Sequence, residues 1–205
     1  MRCLFAPAAF LLLSLSRATC FAQDRDLQLT TSIINQQACA MSAGVEALSL
    51  TLQLRYTNVG HRKLILYKGN QLFYQVFVSR SKEEAAARKY ELRTSHARYY
   101  DVQPEKIAGD SPSSVFTVLS PGASYETKQV IILSVAREGG GQINVSIAAG
   151  EHVLNLIAST WYESKKLAQD LRERWKPRGF LWVEPLASNS VGFVVDNKSA
   201  AIPCR

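Results

Sequence analysis

The strongest pattern in the chain lies between residues 46 and 57. Leu48, Leu50, Leu52, Leu54 and Tyr56 alternate with Ser49, Thr51, Gln53, Arg55 and Thr57. A period of two buries one face of an extended chain and wets the other, so this stretch predicts a β-strand. LQLTTSIIN at 27–35 predicts a strand before it. After it, NVGHR offers turn formers in Asn58 and Gly60. KLILYK and QLFYQVFVS predict two more strands, and the Gly69-Asn70 pair between them predicts a hairpin. VFTVL, ETKQVIILSVA, QINVSIAAG, HVLNLIASTWY, FLWVE and VGFVVD continue the series, which gives roughly eight to ten strands. Pro121-Gly122 and Gly139-Gly140-Gly141 punctuate it as turns. The stretch from Tyr90 to Tyr100 alternates loosely and fits strand or coil. DVQPEKIAGDSPSS reads as a surface loop.

Two segments depart from the β pattern. Ser81 and Glu84 stand in capping-box spacing ahead of Ala85, Ala86, Ala87 and Arg88, which predicts a short helix near 81–89. TWYESKKLAQDLRERWKPRG, from Thr160, holds six Lys or Arg, three acids and two Trp. Thr160 and Glu163 form a second box, and Pro177 and Gly179 supply the stop, so an amphipathic helix is predicted near 163–175. Leu167, Leu171 and Trp175 fall on one stripe with Ala168 beside it, while Lys165, Lys166, Arg172 and Arg174 project elsewhere. A cationic binding face is one reading. A helix that docks its stripe over a sheet edge or open end is the other. Glu163, Asp170 and Glu173 interrupt the basic face, and Trp175 sits on the stripe, which favours the cover. The surface a ligand or partner would use on the first reading comprises Trp161, Trp175, Trp182, Lys165, Lys166 and Arg172.

Short strands with Gly/Pro turns and no regular alternation with long helices predict an all-β sandwich and disfavour a parallel α/β sheet. LSLTLQLRYTNVGHRKLILY resembles the second and third strands of bacterial immunoglobulin-like and fibronectin-type sandwiches. VLSPGASYE is similar to their L-x-P-G turn, and AGEHVLNLIA to their G-x-Y-x-L strand opening. His152 stands where that pattern carries Tyr, which removes the phenol of a tyrosine corner. The resemblance implies an immunoglobulin-like β-sandwich over the core of the chain and implies no activity, since this architecture hosts many.

The N-terminus changes the picture of where the chain works. Met1-Arg2 is followed by an apolar run from Phe5 to Leu15, too short to span a bilayer comfortably, and by small residues at Ala18, Cys20 and Ala22. This predicts a signal peptide over 1–22, cleaved before Gln23, with a rival site after Ala18. A single β-sandwich domain with a helical insert then occupies 23–205. Arg17-Ala18-Thr19 lacks the residues that precede a lipid-attachment cysteine, so anchoring through Cys20 is not expected. Removal of 1–22 takes away Arg2 and Arg17 and no acid. The 24 basic and 17 acidic residues become 22 and 17, a net charge near +5. That density suits acidic surfaces at long range and falls short of a nucleic-acid binder. Cys39 and Cys204 remain, and in an oxidising compartment an even pair predicts one disulfide.

Chemistry is sparse. His61, His96 and His152 stand apart from Cys and from one another, so no metal or cofactor is expected. Ser79 and Lys82 match S-x-x-K without its partner motifs, and the triple glycine lacks the Lys and helix of a phosphate loop. Asn144 and Asn197 open glycosylation sequons. The expectation is a secreted or periplasmic, non-enzymatic binding or assembly module for a protein or glycan partner, with no catalytic residues and no membrane span. A carbohydrate-binding or envelope-associated domain using Trp161, Trp175 and Trp182 is the alternative, and a protease-inhibitor-like module a second. The mature chain is predicted to start near Gln23. N-terminal sequencing of exported protein checks this, and an intact Met1 would refute it.

Overall fold

The structure, a computed structural model, describes residues 26–41, 45–67, 72–97, 116–136, 146–160, 165–196 and 202–204. The predicted signal peptide, the predicted loop at 101–114, the triple glycine, Asn144, Asn197 and Trp161 lie outside them. The strands are β1 (Leu27–Ala40), β2 (Glu46–Asn58), β3 (Leu64–Tyr67), β4 (Leu72–Ser79), β5 (Leu92–Ala97) and β6 (Phe116–Leu119). They continue as β7 (Ser124–Ser134), β8 (Gly150–Thr160), β9 (Phe180–Leu181), β10 (Leu186–Ala187) and β11 (Val191–Val195). Among the described residues two helices interrupt them, α1 (Lys82–Ala86) and α2 (Lys165–Trp175).

These strands make an all-β sandwich of three small sheets. One has the order β1-β2-β7; a second runs β10-β8-β4-β5, with β11 also on β8; the third is β6-β3-β9. The ladders are antiparallel except β3–β9. The alternation read from β2 is realised: Leu48, Leu50, Leu52, Leu54 and Tyr56 are all buried. Each such leucine contributes about 2 kcal/mol through the water it leaves. They share one apolar cluster with Leu64, Val76, Ile131, Leu154, Leu181 and Phe193, so all three sheets close on the same core.

The predicted hairpin at Gly69-Asn70 is corrected. β3 pairs with β6 and β9, whereas β4 pairs with β5 and β8, so the chain changes sheets between them. Both flanking runs are apolar, with β3 buried along its whole length, and their packing requires different layers. The first strand extends beyond the predicted 27–35, past a register irregularity between Ile33 and Asn35. The ambiguous stretch after Tyr90 contains β5. Pro121-Gly122 turns the chain from β6 into β7, with Gly122 at φ 79° and Ala123 N–H bonded to Ser120 O at 2.9 Å.

Asn58 is the polar residue that holds this crossing. It is fully buried, and its Nδ2 donates to Arg62 O and Leu119 O, both at 2.8 Å. Its Oδ1 accepts from Gly60 N at 3.1 Å, and its backbone bonds Ala123 O and Gly122 N. One side chain thus satisfies the polar groups left where β2 ends, β3 approaches and β6 stops. Further along, Gly179 lies so close to β3 that a Cβ there would meet Lys63 O at 2.9 Å, and its φ of +153° suits glycine alone.

The Cys39–Cys204 disulfide forms across a sequence separation of 165 with Cα atoms 4.8 Å apart. Beside it, Ala40 N donates to Ile202 O and Cys204 N to Ala40 O, which seats the tail on the end of β1. The three side-chain bonds of Asn58 give a direct test. Asn58→Ala should destabilise the fold by about 2–4 kcal/mol, because two carbonyls lose the amide that bonds them, while the Gly60 N–H keeps Asp26 O. Urea denaturation measures this, and a loss below about 1 kcal/mol would show that water replaces the amide.

Candidate functional site

The sandwich brings one cluster of charged and titratable side chains together, where α1 meets the start of β8 and β11. Ser81 caps α1, its side chain accepting from Glu84 N at 3.2 Å, and Glu84 in turn accepts from Arg80 N at 3.1 Å. Glu91, just before β5, is the hub. Its carboxylate accepts from Ala148 N at 3.0 Å and from Arg80 at 3.3 and 3.4 Å. It also lies 3.3 Å from His152 Nδ1. That last approach is too oblique for a hydrogen bond and leaves Nδ1 without a bonded partner.

His152 itself is buried, stacked on Phe193 at 5.4 Å, with Nε2 2.8 Å from Ala148 O. Nε2 therefore faces a protein acceptor, whereas Nδ1 lies near a carboxylate without bonding it. The geometry suits a strut joining β8, the 146–148 segment and β5 better than a group that passes protons to a solute. Above it opens a cleft of about 440 Å³, lined by Arg80, Lys82 and Glu83 near α1, Glu151 and His152 on β8, and Phe193 on β11. Sequence reasoning missed Glu91, since no spacing links it to His152 so far along the chain.

Trp175, Trp182 and Arg172 are placed differently from the ligand-surface reading. Leu171 and Trp175 are buried, as the stripe spacing predicts. Trp175 packs on Phe116 at 4.9 Å, and Trp182, also buried, donates its Nε1–H to Glu184 O at 2.8 Å. Buried rings offer no stacking plane for a sugar. Lys166 is exposed, whereas the side chain of Lys165 lies outside the described set. Arg172 requires a correction: it does not project to solvent. It donates to Leu181 O at 3.1 Å, pairs with Glu184, and stands 4.5 Å over the Phe180 ring. Arg62, paired with Asp26, covers the same ring at 3.7 Å. Two guanidinium groups thus lie over Phe180, and Arg172 seats α2 against β9.

The remaining candidates are structural by geometry. Ser79 is buried and donates its Oγ–H to Lys89 O at 2.8 Å, while Lys82 is exposed, so the S-x-x-K pair is not assembled as nucleophile and base. His61 is exposed, and His96 lies on β5 opposite Tyr74. No group of three or more His, Cys, Asp or Glu placed to hold a metal occurs among the described residues.

Glu184 makes the α2 anchor sensitive to acid. Burial pushes its carboxyl up, but the Arg172 hydrogen bond, the backbone N–H groups of Glu184 and Val183, and the Arg172 charge outweigh that and hold it below the ordinary value of 4.5. A depressed carboxyl contributes stability that is complete above the unfolded value and lost as pH falls through the folded one. Glu184→Gln should therefore cost on the order of 0.5 kcal/mol at neutral pH, after solvent screening. The gap to the parent chain should close as pH falls below 4.5. Denaturation across about pH 3 to 7 reads it, and a constant gap would count against the pairing. Compared with known proteins, the chain matches no family model, no curated protein and no solved structure.

Proposed function

We propose that this chain is an exported β-sandwich module that binds or assembles with another polypeptide and does not transform a substrate. The single observation that carries the export half is the Cys39–Cys204 bridge, which ties the first sheet to the tail. Such a bond persists in an oxidising compartment and is rare in a reducing one. The apolar run from Phe5 to Leu15 and the small residues at 18–22 agree with it. No helix among the described residues is long and apolar enough to cross a membrane.

The binding half rests on the cleft over His152. Its lining carries both signs of charge, Arg80 and Lys82 with Glu83 and Glu151, around the apolar Phe193. A polyanion would meet two carboxylates there, whereas a polypeptide can present both signs and an apolar side chain. His152 is buried with Nε2 on Ala148 O, which favours holding a ligand over acting on it.

The test uses the oxidised mature chain as bait for the exported fraction, with Lys82→Glu/Glu151→Lys as the control. Both residues are exposed, so the swap should change stability by only a few tenths of a kcal/mol. A partner captured by the parent chain should be lost by the swapped one. Equal capture by both would remove the cleft from the proposal, and two titratable thiols in protein taken from its host would remove export.

A further inference from the structure

The two edges of the β1-β2-β7 sheet are treated differently. The β1 edge is occupied: Asn189 Oδ1 accepts from Thr31 N at 2.7 Å, and its Nδ2 donates to Thr31 O at 3.0 Å. One asparagine side chain thereby imitates the backbone of a neighbouring strand. Gln36 reaches Val194 O on the same side. The β7 edge has no such cover from a strand among the described residues before the Ser134–Ile147 contact.

The parity of the ladder says which groups lie there. Val135 N donates to Glu46 O at one end of β7, and Asn58 N to Ala123 O at the other. The register between them, from Ala47↔Ser134 to Thr57↔Ser124, has no irregularity. Odd-numbered residues of β7 therefore bond β2, and Ser124, Glu126, Lys128, Val130 and Ile132 turn N–H and C=O to the outer edge. Of these, Val130 O accepts from Gln129 Nε2 at 2.9 Å. This edge has no proline and no bulge, the features by which edges are usually blunted.

We propose that two copies of this chain pair edge to edge through β7, antiparallel about a two-fold axis at Thr127. The axis position follows from charge. With Thr127 on the axis, Glu126 of each copy stands opposite Lys128 of the other, twice, and exposed Val130 stands opposite Ser124. Moving the axis to residue 126 sets Glu126 against itself, and moving it to 128 sets Lys128 against itself. Glu126 and Lys128 are both exposed. Glu126 already receives Arg55 at 2.7 Å and Gln53 at 2.8 Å, which holds its carboxylate on the outer face of the sheet. The inference stands on β7 alone and is independent of the cleft.

The experiment measures mass against concentration by sedimentation for the oxidised mature chain, for Glu126→Lys, for Lys128→Glu, and for an equimolar mixture of the two variants. The parent chain should pass from one to two chains with rising concentration. Each single variant faces like against like at both pairs and should dimerise about tenfold more weakly or worse. The mixture restores both opposite-charge pairs and should recover parental dimerisation. Thermal melts of each variant confirm the fold. A parent chain that stays monomeric at about 0.5 mM would overturn the proposal, leaving Lys128 as a guard against aggregation. So would single variants that dimerise as well as the parent, or a mixture that fails to recover.

Discussion

Everything in this sandwich turns on where β2 may end. Its leucine face needs a full strand of thirteen residues to cover the core, and that length carries its last residue into the interior. A buried strand end leaves backbone groups without partners, and each such group costs about 1–3 kcal/mol. Asn58 answers this with one amide that bonds Arg62 O, Leu119 O and Gly60 N. The ends of β2 and β6 and the approach to β3 are thereby tied at a single point. The β7 strand follows immediately, because the Pro121-Gly122 turn bonds the same residue's backbone. An apolar residue at 58 would serve burial and lose the crossing.

A second constraint is the distance between the chain's first strand and its tail. β1 is the edge of its sheet, and among the described residues its far end pairs only with β2 until residues 202–204 arrive. The disulfide fixes that arrival. In the chain-entropy account, closing so long a loop contributes about 4–5 kcal/mol by restricting the unfolded state. The backbone bonds on either side of it then form at little further entropic cost, since the ends are already together. Covalent closure and β-pairing thus support the same register at Ala40.

What could be read from the sequence was whatever is decided locally. The face of β2 is a matter of period two. The Leu171–Trp175 stripe is a matter of helical spacing, and the caps at Ser81 and the turn at Pro121-Gly122 are short-range chemistry. The errors share a different cause. Gly69-Asn70 announces a reversal, yet sheet membership of β3 and β4 is set by β6, β8 and β9, far along the chain. Arg172 looked solvated because helical phase says where a residue points but not what waits there. Phe180, Leu181 and Glu184 wait there, and they convert a surface cation into an anchor. Glu91 and His152 meet through folding alone, so the candidate cleft had no signature beyond a lone histidine.

The use made of positive charge follows from the same logic. A basic segment invites the thought of an anionic ligand, but a guanidinium is also the side chain best suited to lie flat on an aromatic ring while bonding a carbonyl and a carboxylate. Arg172 does all three, and Arg62 repeats two of them on Phe180. The short β9 strand has only two residues of ladder to hold it, so side-chain clamps must supply what backbone pairing cannot. Basic residues near a weak strand are therefore evidence first about how that strand is kept in place. Exposed cations such as Lys82, Lys128 and Lys166 are left available to a second molecule.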